Sequence, residues 1–167
     1  MNKRNKALGE VAVVEVPARA SESIAKSSMT ISANKLEKII EIPGPGIVIG
    51  GLLILITTSG PLDSAIVIIK VDDNDILSET ISFFKSFNIM ASKISPIYLR
   101  GIYEDPQTYA NYVNVISRSY QYAFAFDSFQ FQKRVELFID NKTSYEISEL
   151  HQVRYYPKER EYRRIEY

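Results

Sequence analysis

The most apolar part of the chain runs from Gly46 to Ile56, with Pro43 and Pro45 before it and Gly60 and Pro61 after it. A membrane-spanning helix needs about 20 consecutive apolar residues, and this run is roughly half that. Its β-branched residues Ile47, Val48, Ile49, Ile54 and Ile56 favour extended backbone. A continuous apolar run between turn signals predicts sandwich-core strand, either a strand pair buried on both faces or one long strand with a bulge. Gly50 and Gly51 inside it predict a bulge or the close approach of another backbone. The same glycines do not make a phosphate loop. GPGIVIGG lacks the Lys-Ser/Thr ending, and no helical pattern follows it.

Short apolar segments continue in both directions, separated by turn residues. A strand is expected over Leu36 to Ile42 and another over Ser64 to Val71, with VDDND (71–75) as a hairpin turn into Ile76 and Leu77. ISFFKSF (81–87) reads as a short helix or an irregular connection. Further strands are expected over Ser95 to Tyr103, with Gly101 as a bulge, and over Thr108 to Ile116. Tyr120, Tyr122, Phe124 and Phe126 share one strand face, and at Asp127-Ser128 the parity shifts to Phe129 and Phe131, which predicts a bulge or corner. Val135, Leu137 and Ile139 alternate, DNKTS (140–144) turns, and Tyr145 to Tyr156 is the last strand region. The sum is an all-β chain: an antiparallel β-sandwich, of jelly-roll type by strand number and spacing.

Residues 36–156 hold this domain. Residues 1–35 read as an extended N-terminal arm with one β-like piece, Glu10 to Val16, and residues 157–167 as a charged tail. The tail reads either as solvated or as a source of charged and tyrosine contacts to a neighbour. The start of the chain lacks a signal-peptide pattern, since Glu10 and Glu15 break any apolar core.

Composition narrows the function. The 167 residues are 46% hydrophobic and 24% charged, enough for one folded core. Lys plus Arg and Asp plus Glu number 20 each, so the chain lacks the basic excess of a dedicated nucleic-acid binder. A net charge near zero also favours association. There is no cysteine and one histidine, which excludes disulfides, thiolate metal sites and multi-histidine metal sites. No cofactor or metal is expected, and no membrane contact.

Candidate chemistry is sparse. Asp72, Asp73, Asn74 and Asp75 lack the spacing and glycine of a calcium loop and suit a tight turn. Glu149 and His151 are two apart, so in a strand they share a face and can touch. No nucleophile motif accompanies them, and a surface or interface histidine is expected. Glu104 and Asp105 beside Pro106 read as turn residues, and Lys3, Arg4 and Lys6 as a solvated basic terminus. The tyrosine-rich ladder is expected as core on one face. In an alternative reading, exposed Tyr109, Tyr112, Tyr120 and Tyr122 would bind glycan, as in an adhesion module of a fibre or cell surface.

Three stretches carry a resemblance: IPGPGIVIGGLLILIT, AIVIIKVDDNDIL and YAFAFDSFQFQKRVELFIDN. They resemble, in turn, the glycine-rich first core strand, the strand–acidic turn–strand, and the Phe-containing strand followed by a strand ending in Asn of small virion structural proteins of tailed phages and archaeal viruses. The likeness covers about residues 36 to 156. It implies a β-sandwich body, extended arms, many copies per virion, partners among copies of itself and other virion proteins, and no enzymatic activity. The long N-terminal arm and the charged tail depart from it. Assembly is then expected through the arm residues Glu10, Val11, Val13, Val14 and Val16 and through Tyr155, Tyr156, Arg160, Tyr162 and Arg163.

Overall fold

The computed structural model describes residues 22–87, 96–105 and 119–158. Among them, ten strands and one short helix follow in order: β1 (Ser23–Ile31), β2 (Leu36–Pro43), β3 (Gly46–Thr57), β4 (Ile66–Val71), β5 (Asn74–Thr80), α1 (Ile81–Phe87), β6 (Ile97–Asp105), β7 (Ser119–Phe126), β8 (Phe129–Phe131), β9 (Arg134–Asp140) and β10 (Ile147–Pro157). They form two antiparallel sheets. One has the order β1-β10-β3-β7-β6 with β8 also paired to β3, and the other the order β2-β9-β4-β5. The pairing is nested: β1 with β10, β2 with β9, β3 with β7 and β8, and β4 with β5. These pairs nest around the β4–β5 hairpin, while β6 stands outside the nesting and pairs with β7. One buried cluster takes Leu53, Leu55, Tyr122 and Phe124 from the first sheet and Val67, Ile69, Leu137 and Ile139 from the second.

The glycine-rich run is a single strand with a bulge. Arg154 of β10 lies opposite Gly50 and Tyr155 opposite Val48, so Ile49 is an extra residue on β3. The bulge changes parity: Gly46 and Val48 face inward below it, Leu53 and Leu55 above it. The parity change at Asp127-Ser128 lies across from it, because Phe126 pairs with Gly51 and Phe129 with Val48. Both strands shift face together, and Phe124, Phe126 and Phe131 all stay buried. A Cβ at Gly51 would lie 2.7 Å from Gln152 O and 2.9 Å from Val153 Cα, so the close backbone approach is real as well.

Of the two expected forms, the long bulged strand is the one present, and the pair buried on both faces is not. The strand's outward residues Ile47, Ile54 and Ile56 are partly exposed and Leu52 is 36% exposed. The arm boundary also moves. Ser23–Ile31 lies within the stretch expected as arm, yet it pairs with β10 along its whole length, and Ile31 is fully buried. An edge strand is held by backbone bonds and buries few side chains, so composition alone does not reveal it. The strand expected over Thr108 to Ile116 lies outside the described residues.

ISFFKSF is a helix. Thr80 caps it, its Oγ1 accepting from Phe83 N–H at 3.1 Å, and Ile81 and Phe84 turn into the core. At the opposite connection, Asn141 is fully buried with every group engaged. Its Nδ2 donates to the carbonyls of Ile31, Ser32 and Tyr145, and its Oδ1 accepts from Thr143 N–H and Oγ1. One side chain thus ties the end of β1 to the β9–β10 turn.

The β4–β5 turn is built on Asp72 and Asp73, both with positive φ (55° and 69°). Asp72 also clamps the β8–β9 turn, accepting from the backbone N–H groups of Gln132, Lys133 and Arg134. Partial desolvation opposes its charge, but those three donors outweigh it and hold the Asp72 carboxyl below its ordinary value.

Two outcomes are expected. Asn141→Ala should lower stability by about 2–4 kcal/mol, seen as a lower urea midpoint, because the carbonyls of Ile31, Ser32 and Tyr145 lose a donor and Thr143 loses its acceptor. Asp72→Asn should be destabilised relative to the wild type mainly above about pH 4. The gap should close as pH falls and the native carboxylate is protonated. Urea titrations across pH check the sign, and a gap that widens in acid contradicts it.

Candidate functional site

The alternation of β10 sorts its residues into two sets. Ile147, Glu149, His151 and Val153 face inward and are buried, while Ser148, Leu150, Gln152 and Arg154 face outward and are exposed. Both sets bear on function.

The inward set contains an acid–base pair. His151 Nδ1 lies 2.5 Å from Glu149 Oε1, with both side chains almost wholly inaccessible. The neighbouring positions on the same face are Met29 and Leu55 beside Glu149, and Ser27 and Leu53 beside His151. Glu149 Oε2 has no hydrogen-bond partner among the described residues. The contact expected from the spacing is present, and of the surface or interface position expected for His151 the first does not hold, since it is 7% exposed. Period-two alternation through Ile147 and Val153 carries the signal for its burial.

The outward set joins an apolar surface. Gln152 lies between Lys26 and Leu52, and Leu150 between Ser28 and Ile54. On the far side, Leu52 and Ile54 pair with Ala125 and Ala123 of β7. Leu150 is 44% exposed. Lys26, Ser28, Leu52, Ile54, Leu150 and Gln152 line a shallow groove of about 460 Å³. At one end Arg154 binds Glu22, Nη2 to Oε2 at 2.9 Å with a second contact from Nε to Oε1. The outward face of the other sheet differs. Lys38 bonds Glu136 at 2.9 Å and Glu41 at 3.2 Å, and Lys38 and Lys70 flank the ring of Phe138. Ion pairs and cation–π contacts cover that face, and the six-stranded sheet presents the greasier one.

A third cluster holds the helix end of the fold together. The Tyr122 hydroxyl donates to Glu104 Oε1 at 2.6 Å and accepts from Leu62 N–H. Lys85 Nζ reaches Glu104 at 2.7 Å and Asp63 at 2.8 Å. Burial and the Glu104 carboxylate raise the Tyr122 pKa. Burial opposes the charge on Glu104, but Lys85 and Tyr122 hold its pKa below the ordinary value. Glu104 therefore ties β6 to α1 and β7, where the sequence reading placed a turn residue.

Of the expected assembly residues, Tyr155 packs against the core and Tyr156 is half-buried. Glu10, Val11, Val13, Val14, Val16, Arg160, Tyr162 and Arg163 lie outside the described residues. Tyr120 and Tyr122 are 5% and 0% exposed, so they are core and not part of a glycan platform. Tyr109 and Tyr112 lie outside the described residues. The acidic turn is occupied by its own partners: Asp72 by backbone, Asp73 by Arg134, Asp75 by Lys70. No group of acidic residues and histidine suited to a metal ion occurs among the described residues. No helix among them is long and apolar enough to cross a membrane. No protein-family model matches the chain, and no curated protein matches it.

The buried pair has a measurable signature. His151→Leu removes the hydrogen-bond partner that the buried Glu149 side chain has among the described residues and should cost about 1–3 kcal/mol. Adding Glu149→Leu should recover most of that loss. A double variant less stable than His151→Leu alone, by urea unfolding, contradicts this account.

Proposed function

We propose that the chain is a non-enzymatic structural protein of a virion, present in many copies and assembled through its sheet surfaces and N-terminal arm. The carrying observation is the apolar outer face of the six-stranded sheet, formed by Leu52, Ile54, Ile56 and Leu150, which no other described residues cover. A protein working alone gains nothing from such a face, whereas a subunit buries it against a neighbour. The nested pairing of strands across two sheets supports a jelly roll. The fold alone assigns no function, so weight rests on the surface.

Its partners on this reading are further copies of the chain and other virion proteins. The arm is the stretch before β1, with Glu10 to Val16 as its strand-forming part.

Light scattering on the full-length protein across a concentration series should give a discrete multi-copy mass. Leu52→Glu with Leu150→Glu should reduce that mass while shifting the unfolding free energy by about 1 kcal/mol or less, since both side chains are partly exposed. A wild type that stays monomeric at every concentration would sink the multi-copy reading.

A further inference from the structure

Five strands have an unpaired side among the described residues: β1, β6 and the three-residue β8 in one sheet, β2 and β5 in the other. Three of these are interrupted. The register shifts leave Ile39 as an extra residue on β2, Ile76 on β5 and Arg100 on β6. Bulges and edge charges are the common means of preventing strand addition. β1 has no bulge, and its nine residues pair with β10 in unbroken register.

The ground around β1 is also incomplete. On its inner side Ala25 and Met29 pack on the core yet remain half-exposed, and Ser27 is exposed. On its outer side no ion pair engages Lys26 among the described residues. The chain holds one segment with matching chemistry, Glu10–Val16, EVAVVEV.

We propose that the free edge of β1 accepts Glu10–Val16 of a second copy as an antiparallel strand, with Glu15 opposite Lys26. This rests on the multi-copy reading above and names the surface that serves it. In this register Val16, Val14 and Ala12 fall beside Ala25, Ser27 and Met29, continuing the inner face. Glu15, Val13 and Val11 fall beside Lys26, Ser28 and Thr30 on the outer face. A slip of one residue turns Glu15 inward and breaks the charge pair, so the register is specified. The added strand satisfies the edge backbone of β1 and covers Ala25 and Met29. The donor is a second copy on the multi-copy reading, and the cross-linking below separates it from the chain's own segment.

The chain has no native cysteine, so single substitutions report cleanly. Full-length V13C and S28C variants, mixed and mildly oxidised, should give a disulfide-linked dimer. A12C mixed with S28C, whose side chains would face opposite ways, should give far less. E15K and K26E should each weaken assembly several-fold, and the two combined should restore it. Two results overturn the proposal. One is an internal cross-link in a V13C/S28C chain with no mixed dimer, which would assign the segment to its own β1. The other is assembly that ignores E15K and K26E yet is lost with Leu52→Glu and Leu150→Glu, which would leave the multi-copy reading intact without this edge. A wild type monomeric at all concentrations removes both.

Discussion

The register of β10 between β1 and β3 is the constraint on which the rest of the molecule depends. Side chains of a strand alternate between faces, so a fixed register decides every inward and outward residue at once. With β10 held as it is, Ile147 and Val153 must enter the core, and Glu149 and His151 must follow. The pair satisfies part of the polarity that alternation forces inside. The same constraint sends Leu150 outward, beside Ile54. A buried Glu–His contact and an exposed apolar surface are thus two sides of one strand.

That register is itself held from both ends. Asn141 ties the end of β1 to the turn that leads into β10. At the other end the bulge at Ile49 and the parity change at Asp127-Ser128 compensate one another, keeping aromatic residues of β7 and β8 in the core. The hairpin tip is clamped separately, through the bonds from the β8–β9 turn to Asp72. Buried polar groups carry these constraints because each leaves unpaired partners behind if it moves.

The two outward faces show how charge divides the labour of a neutral chain. The four-stranded sheet spends Lys38, Glu41, Arg134 and Glu136 on one another. Its ion pairs leave a surface that is already satisfied. The six-stranded sheet has few charges on its outer face, and its edge strand β1 is regular. The proposed association through that side, and with it the proposed structural role, rests on these features together.

Much of the fold is legible in the residues. Alternation and turn chemistry locate most of the strands, the Asp72-Asp73 hairpin and the glycine bulge, and the two-residue spacing brings Glu149 to His151. Those features are local, so the sequence by itself determines them. Four others depend on neighbours distant along the chain. β1 is a strand because β10 supplies its hydrogen bonds, although its own composition resembles a linker. ISFFKSF, which reads equally as helix or irregular connection, is helical because the core receives Ile81 and Phe84. Tyr122 is interior because Leu62 and Glu104 meet its hydroxyl. Leu52 and Leu150 are surface because the sheet has only one partner sheet among the described residues. An apolar residue reads the same whether its face is covered or bare, since coverage belongs to the packing of sheets and not to the strand. Only the tertiary structure decides it.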